Sequence, residues 1–160
     1  MLKLSMIFLQ CWLGFCFTAS AWAIDPEDLL QPDEAFQLHA ELKDANNLLL
    51  NWDIADGYYL YRHKIKFVSL TPGVQAGQPV FPAGQTKQDR NFGSVEVYRD
   101  QLQVELPIQR QQAKAVKLEL EVTFQGCADI GICYMPIQKV IAFDLPDRTV
   151  TSQSKALPPG

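Results

Sequence analysis

Cys127 and Cys133 are the residues of this 160-residue sequence best suited to chemistry, in the segment Gly126-Cys127-Ala128-Asp129-Ile130-Gly131-Ile132-Cys133-Tyr134-Met135-Pro136. Gly126, Gly131 and Pro136 mark a hairpin-like connection, and the five residues between the sulfurs let the chain fold back until the two Cα atoms are within disulfide reach. Three chemistries fit. A bridge closing so small a ring is a staple contributing about 2–2.5 kcal/mol through chain entropy. On an exposed loop the same bridge is labile and suits thiol–disulfide exchange. With Met135 as a third soft ligand, the thiols outline a Cu(I) site, whereas zinc's usual four ligands are not at hand. The spacing is compatible with staple and exchange alike.

Other candidate chemistry is thin. His39 falls on the polar side of an alternating segment and His63 in a Tyr-Arg-His-Lys cluster; both read as solvated surface residues. The order Ser/His/Asp and phosphate-cradling glycine motifs are missing from the sequence. Tyr58-Tyr59-Leu60-Tyr61 alternates as a strand does, which predicts core on one face and rim on the other. Its functional reading is a wall beside the cysteine loop, apolar and hydroxyl-bearing, which raises a thiol's pKa and limits access.

The compartment follows from the first residues. Met1-Leu2-Lys3, a mostly apolar stretch from Leu4 to Phe17, and Ala21-Trp22-Ala23 form the layout of a signal peptide over residues 1–23, cut before Ile24. Cys11 and Cys16 leave with it, so the expected mature chain of about 137 residues carries two cysteines. Export places them in an oxidising compartment, where two thiols tend to pair. The loss of Lys3 leaves 13 basic against 18 acidic residues, a balance that excludes the basic footprint of a nucleic-acid binder.

The elements that must position the sulfurs read as strands. Residues 24–33 form an irregular lead-in with Leu29 and Leu30 to dock, and residues 147–160 a polar linker or tail. Between them, one domain over 34–146 alternates with period 2. Its strands are carried by Phe36–Leu42, Leu48–Ile54, the stretch from Tyr58 to Val68, Val95–Val97, Leu102–Ile108, Val116–Phe124 and about Gln138–Leu145. Residues 72–94, with Pro72, Pro79, Pro82 and four glycines, predict loop with at most one short edge strand at Val80-Phe81. Short strands, frequent turns and no sustained helical periodicity predict an all-β sandwich.

Three ordered motifs then resemble a known family. They are Asp56-Gly57-Tyr58-Tyr59-Leu60-Tyr61-Arg62, Val95-Glu96-Val97-Tyr98-Arg99-Asp100, and the cysteine segment from Gln125 to Tyr134. Together, from about Leu30 to Leu145, they look like the N-terminal periplasmic domain of DsbD, the bacterial thiol:disulfide interchange protein. The resemblance implies an immunoglobulin-like β-sandwich with a redox-active cysteine pair on an end loop, needing no cofactor or metal. It implies a relay in the periplasm, of the protein-disulfide reductase type. Electrons would come from a thioredoxin-like donor domain and pass to disulfide isomerases of the DsbC type and to a thioredoxin-like protein of cytochrome c maturation. By the motif match Cys127 and Cys133 are the exchanging pair, and Cys133, the later one, forms the mixed disulfide. Tyr59 and Tyr61 belong to its surroundings.

The family also lays an aromatic side chain of a cap loop over the disulfide, a segment that falls here on Asp89-Arg90-Asn91-Phe92-Gly93. Asn91 stands at the usual aromatic position with Phe92 beside it, and Arg90 stands where an acidic residue is usual. Two outcomes are expected: Phe92 swings in as the lid, or the pair is less shielded. Arg90, if near the thiols, favours thiolate. The family's membrane region and C-terminal thioredoxin-like domain have no counterpart in this sequence, which reads either as a fragment or as a carrier reduced in trans.

Overall fold

The computed structural model describes residues 29–148; the signal segment expected over 1–23 and most of the tail from 149 onward lie outside the described residues. A single helical turn, α1 (Pro32–Ala35), precedes eleven strands. Pro32 suits the first helical position, and Glu34 Oε2 accepts from the Gln31 backbone N–H at 3.1 Å, but no apolar stripe extends the turn. The lead-in docks less by side chain than expected. Leu29 packs on the core, whereas Leu30 is held through its backbone, its N–H donating to Tyr58 Oη (3.0 Å) and its carbonyl accepting from Tyr134 Oη (2.6 Å).

Two layers enclose the core. In one, β1 (Phe36–Asp44), β2 (Asn47–Ile54), β8 (Gln101–Arg110) and β5 (Val74–Ala76) lie side by side in that order. The other has two joined halves. β11 (Ile137–Leu145), β9 (Val116–Phe124) and β4 (Lys66–Ser69) form one half; β10 (Gly126–Ala128), β3 (Tyr58–Tyr61), β7 (Gly93–Tyr98) and β6 (Gln85–Asp89) form the other. The halves are continuous in the chain, since β9 runs into β10 past Gln125 and β3 into β4 through a 3₁₀ turn at Arg62–Lys64. All paired neighbours are antiparallel.

Period-2 alternation puts Leu48, Leu50, Trp52 and Ile54 of β2, the even residues Leu102 to Ile108 of β8, and the even residues Leu118 to Phe124 of β9 inward. The rings of Trp52 and Phe124 meet edge-on across the layers at 5.8 Å. This is the all-β sandwich that the alternation predicts.

The stretch from Tyr58 to Val68 falls on two strands parted by the turn at 62–64, and these pair with β10 and β9. One expectation needs correction. Residues 72–94 hold more strand than their composition suggests. β5 pairs with β8, β6 pairs with β7, and the expected strand at Val80-Phe81 is one isolated bridge from Val80 to Glu105. β5 and β6 lie at sheet edges, where hydrogen bonds rather than burial define a strand, so Gln-Thr-Lys-Gln-Asp shows no apolar alternation.

Gly126 shows how tightly β10 sits against the core. A Cβ there would collide with the Phe36 ring and come within 2.5 Å of the Tyr59 carbonyl oxygen. Gly126→Ala is therefore expected to cost roughly 1–3 kcal/mol through overpacking. Urea unfolding measures this, and an unchanged midpoint would show that β10 can move away from Phe36.

Candidate functional site

Cys127 and Cys133 form a disulfide with Cα atoms 3.9 Å apart. Cys127 lies on β10, directly opposite Tyr59 of β3, and Cys133 bridges back to it from the far side of a tight turn. The turn has its own hydrogen bonds: Asp129 N–H to the Gly57 carbonyl (2.8 Å), Gly131 N–H to Ala128 (2.9 Å), Ala128 N–H to Ile132 (2.8 Å) and Tyr134 N–H to Gly126 (3.0 Å). Gly131 supplies a φ of 92°, which other residues rarely adopt.

The two sulfurs sit in unlike surroundings. Cys127 is fully buried in a small second core with Tyr59, Tyr61 and Val97, whereas Cys133 is exposed. The rim expected for alternate residues of β3 is therefore a core as well. Tyr58 and Leu60 face the main core, and Tyr59 and Tyr61 are buried on the opposite face. The reason is the layer above them: β6, the β6–β7 turn and the cysteine turn cover that face.

A polar relay runs through this second core. Tyr61 Oη lies 3.6 Å from Cys127 Sγ and donates to Asp89 Oδ2 at 2.5 Å. With that hydrogen committed, Tyr59 Oη, 3.5 Å away, is the donor to Tyr61 Oη. Burial first, then the Asp89 carboxylate, pushes the Tyr61 phenol well above its ordinary range. Asp89 Oδ1 also accepts from the backbone N–H groups of Asn91 (2.8 Å) and Phe92 (3.1 Å). The Tyr61 hydrogen bond, followed by these amides, holds the Asp89 carboxyl below its usual value.

The cap residues separate to two sides of Tyr61. Phe92 turns away from the sulfurs and packs edge-on against Tyr61 (5.7 Å) and His63 (5.2 Å), with Lys64 Nζ 4.5 Å from its centroid. It is 47% exposed, and it lines a groove of about 670 Å³ with Arg62, His63 and Phe81. Neither sulfur lines that groove. The cleft over Cys133, about 390 Å³, is lined by Tyr59, Tyr61, Lys87, Asp89, Arg90, Asn91 and Asp129 among others. Asn91 lines this cleft, Phe92 is not among its lining residues, and Arg90 shares it with Cys133. His63 is exposed as read, but its ring carries contacts to both aromatics, and burial with Lys64 nearby lowers its pKa.

Sequence reasoning missed Arg99, Lys87 and Asp129. Arg99 makes a two-pronged pair with Asp129 (2.8 and 2.6 Å), and its guanidinium stands 5.1 Å over the Tyr59 ring. Lys87 Nζ also approaches the Tyr59 ring, 4.7 Å from its centroid. Arg99 and Asp129 lie within the family-like motifs, but nothing in their spacing announces that they meet. Among the described residues no cluster of three or more His, Cys, Asp or Glu could hold a metal ion, and Met135 is 83% exposed.

The Tyr61–Asp89 bond has a measurable consequence. A carboxyl whose folded pKa is depressed adds stability above its unfolded value, and this is lost as pH falls through the folded value. Tyr61→Phe is expected to raise the Asp89 midpoint in a carbon-13 carboxyl titration and to remove part of the stability that Asp89 contributes above its unfolded value. An unmoved midpoint would mean that the Asn91 and Phe92 amides alone set it.

Residues 26–145 match the family model described as thiol:disulfide interchange protein DsbD, N-terminal. DsbD 1 of Pseudomonas aeruginosa is 40% identical over 113 residues, covering 71% of this chain and 19% of that protein. DsbD of Neisseria meningitidis is 41% identical over 118 residues, covering 73% and 19%. The chain thus spans about a fifth of the length of these curated relatives. The reduced N-terminal domain of Neisseria meningitidis DsbD superposes with a TM-score of 0.67 at 33% identity, over 76% of this chain and 94% of that one. The same bacterium's DsbD N-terminal domain in complex with the PilB N-terminal domain aligns with a TM-score of 0.58 at 32% identity, over 73% and 87%. With the family model matched across nearly all the described residues, the chain belongs to the DsbD N-terminal domain family.

Proposed function

We propose that this chain is a thiol–disulfide exchange domain of the periplasm in which Cys133 attacks and Cys127 resolves. The observation that carries this reading is the asymmetry of the bridge: one sulfur exposed in a cleft, the other fully buried. A partner's disulfide can reach Cys133 Sγ but not Cys127 Sγ, and exchange depends on access as well as on thiolate character.

In the reduced protein, the Cys133 thiolate attacks one sulfur of the partner disulfide. The partner's S–S bond breaks, and its other sulfur leaves as a thiolate that takes up a proton. Cys127 loses its proton and attacks Cys133 Sγ, breaking the mixed disulfide and releasing the partner's second thiolate. Two electrons have moved: the Cys127/Cys133 dithiol is oxidised and the partner disulfide is reduced. A donor dithiol runs the same steps in reverse to restore the pair.

The partners on this reading are a thioredoxin-like donor domain and, as acceptors, DsbC-type isomerases and a thioredoxin-like cytochrome c maturation protein. Ile130, Ile132 and Met135, exposed around Cys133, supply an apolar face for protein docking. The solved complex of a related domain with the PilB N-terminal domain supports a protein partner of this kind.

Cys127→Ser is expected to accumulate a mixed disulfide with a thioredoxin-like partner, and Cys133→Ser to accumulate none, read by non-reducing electrophoresis and mass spectrometry. A reduction potential for the wild-type pair below about −300 mV would identify a structural bond and overturn the reading.

A further inference from the structure

Reduction removes the bond that ties Cys133 to β10, so other contacts must hold the turn that carries it. Resting on the reading that Cys133 attacks, we infer that Arg99 is a positioning residue for that attack. Its two-pronged pair with Asp129 clamps the 129–132 turn and neutralises the one carboxylate which that turn carries.

Arg99 touches three parts of the site at once. Nη1 and Nη2 donate to the two oxygens of Asp129 at 2.8 and 2.6 Å, Nη1 also reaches the Tyr58 carbonyl at 3.3 Å, and the guanidinium lies over the Tyr59 ring. A planar fork on a carboxylate fixes direction as well as distance. Arg99 stands at the end of β7, next to Asp100, whose φ of 58° turns the chain into β8. The clamp therefore joins the β7–β8 turn, strand β3 and the cysteine turn without involving either sulfur.

The charges facing Cys133 give the clamp a chemical role. The cleft is lined by two cations, Lys87 and Arg90, two carboxylates, Asp89 and Asp129, and the phenols Tyr59 and Tyr61. Asp89 is occupied by Tyr61 and two backbone amides, and Asp129 by Arg99. The donors on Asp89 are neutral and leave it charged, whereas Arg99 offsets Asp129, so a thiolate at Cys133 meets Lys87 and Arg90 opposed by Asp89 alone. Freed of Arg99, Asp129 would be an uncompensated negative charge in the same cleft and would disfavour the thiolate.

The test is the pH dependence of iodoacetamide alkylation at Cys133 in the reduced protein, read by peptide mass spectrometry. Arg99→Gln is expected to raise the midpoint by roughly half a unit, about a threefold loss of thiolate well below it. Asp129→Asn, which leaves the Arg99 cation unopposed, is expected to lower it. The double variant should return close to wild type, and Arg99→Lys, which keeps the charge but loses the fork, should keep the midpoint while amides 129–132 exchange faster. A single midpoint shared by all variants, or a double variant no closer to wild type than Arg99→Gln, would overturn the inference. Asp129→Asn removes only an exposed carboxylate, so it decides the matter even if Arg99→Gln folds poorly. Alkylation of wild-type Cys127 before Cys133 would instead sink the underlying assignment of the attacking sulfur.

Discussion

The register that sets Cys127 opposite Tyr59 is the constraint on which the rest of the site depends. β10 is three residues long, and its alternation is absolute: Gly126 and Ala128 face Phe36 and the main core, so Cys127 must face the other way. A slip of one residue would send the sulfur into the main core and away from Tyr61. Gly126 guards against this, because only a residue without Cβ fits between Phe36 and the Tyr59 carbonyl.

From that register follow the unequal environments of the two sulfurs. Cys127 shares a closed, aromatic second core with Tyr59 and Tyr61, and Cys133 emerges across a five-residue turn into solvent. The turn's backbone hydrogen bonds and the packing of Tyr134 on Phe36 at 5.5 Å hold its two ends in addition to the S–S bond.

The β6–β7 turn shows how one sequence departure is absorbed. Asp89 takes two amides of its own turn and the Tyr61 hydroxyl, so a carboxylate anchors the turn to the second core beside the Phe92 ring. With Asn91 at the cleft, the only nearby ring of that turn, Phe92, finds its contacts on Tyr61, His63 and Lys64. The buried sulfur, that of Cys127, is covered by the Tyr59 and Tyr61 side chains of the second core.

Local pattern alone determined the all-β class, strands read at 36–42, 48–54, 102–108, 116–124 and about 138–145, and the pair of cysteines, since burial on one face writes a period of two into the chain. β6 left no such trace because its polar side chains are largely exposed, and β5, three residues long, is too short to display a period. The turn at 62–64 is marked only by the polar Arg62-His63-Lys64, a run that an exposed edge could equally carry. Only the tertiary structure decided that Tyr59 and Tyr61 are core rather than rim, that Phe92 faces His63, and that Arg99 meets Asp129 thirty residues away. These depend on which segment covers the second face of β3 and on long-range ion pairing, and neither has a period that a sequence can display.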